Sequence, residues 1–118
     1  MRMWMINPIL LCNQHLIGEH GEIHKHRHNF VKGHSIKKRV ELNQIEPLSM
    51  ETRHNELAAE MLRRDMTHQS PYTLPDLSKI PIHHRNYKVN VESAMVELHS
   101  RCAKCKHRYD LYIKGELF

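Results

Sequence analysis

Residues 14–26 read QHLIGEHGEIHKH, and the fold is decided by how this stretch is placed. Its apolar residues extend a wider pattern: Ile9, Cys12, Leu16, Ile23 and Phe30 recur at offsets of 3, 4 and 7. That spacing predicts one apolar stripe along a helix of roughly 20 residues. Asn7-Pro8 predicts its start, because Asn caps well and Pro is favoured at the first helical position. Gly18 and Gly21 lie inside the helix and predict close approach of another backbone or a ligand. On this helix His15 and Glu22, seven residues apart, fall about 20° from each other. Glu19 sits between them and His26 one turn beyond Glu22. A histidine and two carboxylates beside an apolar stripe are suited to proton transfer, since burial shifts their ionisation. The same residues also fit a solvated polar face.

Outward from this helix, the chain reads as two further helices joined by loops. Residues 31–48 hold Gly33, the run Lys37-Lys38-Arg39 and Pro47, and predict exposed, irregular chain. Ser49 or Met50 opens a second helix to Arg64, burying Leu57, Ala58, Met61 and Leu62. Pro71, Pro75 and Pro81 predict an extended or turning path over 65–89. A third helix opens after Asn90, with Val91, Met95, Leu98, Cys102 and Cys105 on one stripe. The tail YDLYIKGELF is expected to pack back or line a groove. No segment reads as a strand. The expected fold is all-α: one compact domain over 1–118, of three main helices with long ordered loops.

Composition narrows the partner. The 118 residues carry 18 Lys and Arg against 13 Asp and Glu, a formal charge of +5, with 12 histidines in reserve. A small basic domain suits a polyanion, with nucleic acid ahead of an anionic membrane. Three cysteines make no disulfide framework. Without a cleavable leader or an 18-residue apolar run, an intracellular, cytoplasmic protein is expected. One basic cluster comprises Lys32, Lys37, Lys38 and Arg39. Another comprises Lys104, Lys106, Arg108 and Lys114, interleaved with Tyr109 and Tyr112. Cations can hold phosphates while tyrosines stack on unstacked bases.

Metal ligation is a competing reading. Cys102-x-x-Cys105-x-His107 has metal-like spacing, and the sequence also offers His24, His26, His28 and the pair His83-His84. Against it, Cys102 and Cys105 continue the Val91-Met95-Leu98 stripe, where cysteine acts as a small buried hydrophobe. No cofactor and no metal are therefore expected, with Cys102, Cys105 and His107 as the alternative ligands.

The segments QHLIGEHGE, MRMW and RHNELAAEMLRR resemble the pyrimidine-dimer DNA glycosylases, the endonuclease V-type repair enzymes of phages. ELAAEMLRRD (56–65) is similar to that family's second helix. LSKIP with Arg85, then VNVESAMVELHSR, is similar to the entry to its third, and YDLYIKG to its C-terminal segment. The resemblance implies a DNA N-glycosylase with AP-lyase activity on double-stranded DNA, acting as a monomer. It places the nucleophile at the α-amine of Met1 and the catalytic glutamate at Glu22, with His15 assisting. It puts Arg2 beside the nucleophile and implies DNA contacts from Lys25, Arg85 and the two basic clusters. Gly21 and Lys25 stand where the family carries arginines, and 40–52 is shortened. A glycosylase for another modified base, an abasic-site lyase, a non-catalytic nucleic-acid binder and a zinc-stabilised accessory protein stay open.

Overall fold

The computed structural model describes residues 2–67 and 71–117. Among them are six helices and no strand. These are α1 (Asn13–Lys32), α2 (Lys37–Glu41), α3 (Met50–Arg63), α4 (Ile82–Arg85), α5 (Val91–Arg101) and α6 (Ala103–Ile113). The protein is all-α as expected, and α1, α3 and the α5–α6 pair are its long elements. Helix α1 packs on α3, and α6 packs on the N-terminal segment. No described helix is long and apolar enough to cross a membrane.

The first helix starts later than the capping signal predicts. Asn7 does cap, accepting a hydrogen bond from the Ile9 N–H, but what it caps is a single 3₁₀ turn, Pro8–Leu10. Leu11 and Cys12 are extended, and α1 begins at Asn13. The break has a packing reason. Leu10, Leu11 and Cys12 are all buried, whereas three successive residues of one helix would span about 200° and send one to solvent. Gly33 ends α1 at φ 77°, a left-handed value that lets the His34 N–H reach the Asn29 carbonyl.

Two loops carry more order than their composition suggests. Residues 31–48 include α2 and bury Ile36, Ile45 and Pro47. Residues 65–89 include α4 and bury Tyr72, Leu77 and Val89. In α3 the core face is Met50, Arg53, His54, Leu57, Ala58, Glu60 and Met61. Leu62, expected inside, is 58 % exposed, because it lies about 120° round the helix from the centre of that face. Asn90 caps α5 as expected, its side chain accepting from the Ser93 N–H.

The third helix is not continuous through Cys105. It ends at Arg101, and Cys102, at φ −132° and ψ 103°, caps both α5 and α6. The continuous stripe therefore ends at Cys102, which is itself the break, and Cys105 belongs to the next helix. The C-terminal segment supplies the last turn of α6, with Tyr112 and Ile113 exposed and Leu117 against the core.

Candidate functional site

The buried stripe of α1 is half polar. Leu16, Glu19, Ile23, His26 and Phe30 follow at helical spacing, flanked by buried His20 and Glu22. Glu19 is fully buried, and both its oxygens accept from Arg53 of α3, at 2.6 Å from Nε and 3.0 Å from Nη2. This forked pair joins the two longest helices. A second polar layer lies beside it. The rings of His20 and His54 meet Nε2 to Nε2 at 3.1 Å, with His24 and Tyr72 against them. Burial pushes the Tyr72 phenol above its ordinary range.

Glu22 faces the other way. Its carboxylate lies 3.4 Å from Arg39 Nη1 and 3.9 Å from His26 Nε2. Together with His24, Lys25, His28, Asn29 and Arg39 it lines a concavity of about 420 Å³. The floor is an acid and the rim is basic. Burial, with Arg39 adding to it, depresses His26 to about 4, so its ring is neutral at pH 7. Among the described residues neither His26 ring nitrogen has a hydrogen-bond partner. The Cβ position of Gly21 meets nothing within 4 Å, so among the described residues no other backbone approaches this glycine.

The N-terminal segment is anchored in the core. Arg2 is 3 % exposed and bonds Glu97 and the Asn43 carbonyl, with its guanidinium 4.6 Å from the centre of the Trp4 ring. Desolvation lowers its pKa, while Glu97 and Glu19 oppose that shift. The Met3 N–H donates to the Gln44 carbonyl. Arg2, Trp4, Gln14, His15, Gln44 and Arg101 line a second concavity, of about 230 Å³. Met1, the residue the resemblance makes the nucleophile, lies outside the described residues.

His15, Glu19 and Glu22 share one face of α1 by helical spacing, but their side chains do not converge. They part toward three partners: the cysteines, Arg53 and Arg39. His15 Nδ1 is 3.2 Å from Cys12 Sγ and 3.6 Å from Cys105 Sγ, and Cys12 Sγ is 3.8 Å from Cys102 Sγ. The alternative ligand set of Cys102, Cys105 and His107 is only partly assembled, since His107 is exposed and outside this cluster. Cys12 and His15 complete it. Their C-x-x-H spacing mirrors C-x-x-C and was the available signal, hidden by reading Cys12 as part of an apolar stripe.

The basic residues divide in two. Lys25 and Arg39 line the Glu22 concavity, while Lys37, paired with Glu41 at 4.0 Å, lines another beside Phe30 and Ile36, and Lys38 is exposed on α2. Other cations brace the fold. Arg108 donates from Nε and Nη2 to the Ile9 carbonyl, and Arg85 donates to the carbonyls of Ser78 and Ile80. Lys106 pairs with Asp110 at 2.7 Å and lies near Tyr109, which packs on His99. Tyr112 and Lys114 are exposed at the end of α6.

No curated protein and no solved structure matches the chain. A family model described as pyrimidine dimer DNA glycosylase matches residues 1–74, which contain α1, α3, Glu22 and the Lys37–Arg39 cluster. The chain belongs to the pyrimidine dimer DNA glycosylase family.

Proposed function

We propose that this protein is a DNA-repair N-glycosylase with AP-lyase activity, using the α-amine of Met1 as nucleophile and Glu22 as the carboxylate that manages charge and protons. The observation that carries this reading is the setting of Glu22. It is a carboxylate 5 % exposed, at the floor of a concavity rimmed by Lys25, His28 and Arg39, within the family-matched segment. A basic rim draws in a phosphate backbone. An anion at the floor stabilises the positive charge that develops on a deoxyribose when its base leaves. His26 beside it is neutral at pH 7 and does not quench that anion.

The amine suits the task. An α-amino group titrates at about 7.7 to 8.0 in model peptides, so near neutral pH a useful fraction is unprotonated and nucleophilic. Met1 is one peptide unit from Arg2, which is held at both ends of its guanidinium. The amine lone pair attacks C1′, and the glycosidic bond breaks with its electrons going to the base, which takes up a proton. The attached nitrogen loses one proton, its lone pair forms C1′=N as O4′ leaves C1′ with the bond pair and takes up a proton, and a protonated imine results. Glu22 removes a C2′ proton, the 3′-phosphate departs with the C3′–O bond pair, and water releases the amine. The lesion is a damaged or modified pyrimidine.

Borohydride trapping on abasic-site DNA tests this directly. The expected product is a covalent adduct mapping to Met1, absent when the N-terminus is blocked. Glu22→Gln is expected to abolish strand cleavage and keep DNA binding. No adduct from folded, free-amine protein would refute the amine chemistry and leave a non-catalytic DNA-binding scaffold.

A further inference from the structure

We propose that Cys12, His15, Cys102 and Cys105 bind one structural zinc ion, which clips the C-terminal helices onto the start of α1. These four residues offer one ligand atom each, all within 4.8 Å of one another. Three sulfurs and one imidazole nitrogen form a recognised closed zinc set. Tetrahedral coordination with Zn–S of about 2.3 Å and Zn–N of about 2.0 Å requires ligand edges of about 3.8 Å for S···S and about 3.5 Å for S···N. The observed Cys12–Cys102 separation is 3.8 Å, and His15 Nδ1 lies 3.6 Å from Cys105 and 3.2 Å from Cys12. A disulfide needs sulfurs about 2.05 Å apart, and all three cysteines are free.

The backbone around the cluster carries independent support. The stretch Arg101-Cys102-Ala103-Lys104-Cys105 holds no Gly or Pro, and Ala, Lys and Arg are strong helix formers. Propensity predicts one helix through it, yet the helix breaks at Cys102. The break lets the Cys102 sulfur accept the Cys105 N–H and still face Cys12. Likewise the chain breaks at Leu11-Cys12, and the Cys12 N–H points at the Cys105 sulfur at 3.2 Å. Backbone N–H groups directed at sulfurs are the outer-shell contacts that stabilise metal-bound thiolates. Soft thiolates with tetrahedral geometry select zinc over hard cations.

The assignment gives His15 a positioning role. Metal on Nδ1 leaves Nε2 protonated as a donor and locks the ring orientation, beside Arg2 and Trp4 in the second concavity. It does not depend on the amine chemistry, and both can fail separately.

The experiment is metal analysis of protein purified without an affinity tag, followed by cobalt substitution. One zinc per chain is expected, with thiolate-to-cobalt charge-transfer bands in the Co(II) form. Cys102→Ser is expected to lose the metal under dialysis that leaves the wild type loaded. Should that variant fail to fold, the wild-type cobalt spectrum decides alone. Zinc without thiolate bands, retained in Cys102→Ser but lost in His54→Ala, would overturn the assignment in favour of the His20–His24–His54 cluster, the other candidate among the described residues. Metal-free folded protein whose three thiols react freely with a thiol reagent would overturn it outright, as would a disulfide.

Discussion

Replacing either glutamate of α1 by glutamine removes one negative charge, and the structure predicts opposite consequences. Glu19 is 0 % exposed and its partner Arg53 2 %. Glu19→Gln strands a buried guanidinium whose remaining partner is Glu56, half exposed and 3.5 Å away. Breaking a buried pair from one side costs about 3–5 kcal/mol. Glu22 faces a neutral His26 and an Arg39 whose side chain is 36 % exposed, so Glu22→Gln strands no buried charge and should cost about 1 kcal/mol, the net worth of one polar contact. With a urea slope of about 2 kcal/mol per molar, Glu19→Gln moves the midpoint down by about 2 M and Glu22→Gln by about 0.5 M or less. Cleavage of abasic-site DNA should show the reverse order: lost in Glu22→Gln, retained in whatever fraction of Glu19→Gln is folded. Equal destabilisation would make Glu22 a structural counter-ion and refute the division of labour. Recovery of stability in the double variant Glu19→Leu/Arg53→Met would locate the loss in the stranded charge.

Other outcomes can be stated more briefly. His26 titrates at about 4 in the folded protein against 6.5 in its absence, so protonation favours unfolding. Its contribution is intact above pH 6.5 and is lost as pH falls toward 4, a change of about 3 kcal/mol, and His26→Gln should flatten that part of a pH–stability profile. Gly21 has open space at its Cβ position; Gly21→Ala should raise stability by about 0.5–1 kcal/mol. Gly21→Arg should tighten DNA binding and steepen its salt dependence by about one phosphate contact. Lys38→Ala should weaken binding evenly across DNA sequences and make it less salt-dependent. Arg108→Ala should instead cost about 1–3 kcal/mol of stability, since it leaves the Ile9 carbonyl with only the longer 3.4 Å contact from Arg64.

The long helices were legible because their apolar spacing repeats over many residues, and Asn90 because a cap acts within three positions. The breaks at Leu11-Cys12 and at Cys102 were not, since both depend on contacts made far along the chain: the burial of Leu10, Leu11 and Cys12 together at the first, and the facing of Cys102 toward Cys12 at the second. Arg53 shows the same limit. Nothing in RHNEL distinguishes it from the exposed Arg63, and only the 34-residue contact with Glu19 makes it a core residue. Within the site, Glu22 and Lys25 could be placed on one helix from spacing, but which neighbours turned toward them depended on α2, a helix of five residues with no periodic signal of its own.

The family match ends at residue 74, yet the remaining chain does more than follow it. Each strong bond between the two parts lands on the first 15 residues or on the loop beside them. Glu97 takes Arg2, Arg108 takes the Ile9 carbonyl, the sulfurs of Cys102 and Cys105 meet Cys12 and His15, and the Val89 N–H meets Glu46. In the proposed mechanism the nucleophile is the amine of a chain terminus, and termini fray unless tied down. Here α5 and α6 supply the tie. The Arg2–Glu97 ion pair and the proposed metal clip would restrain the residues that follow the amine, whereas an α-amine on a mobile tail would gain little from proximity. Disrupting the clip should therefore slow imine formation more than it weakens DNA binding, since the cations of the Glu22 rim sit on α1 and α2, away from the cysteines. A single-turnover trapping rate measured beside an equilibrium binding constant for Cys105→Ser would separate the two effects, and an equal loss in both would show that the C-terminal helices contribute to DNA contact as well as to anchoring.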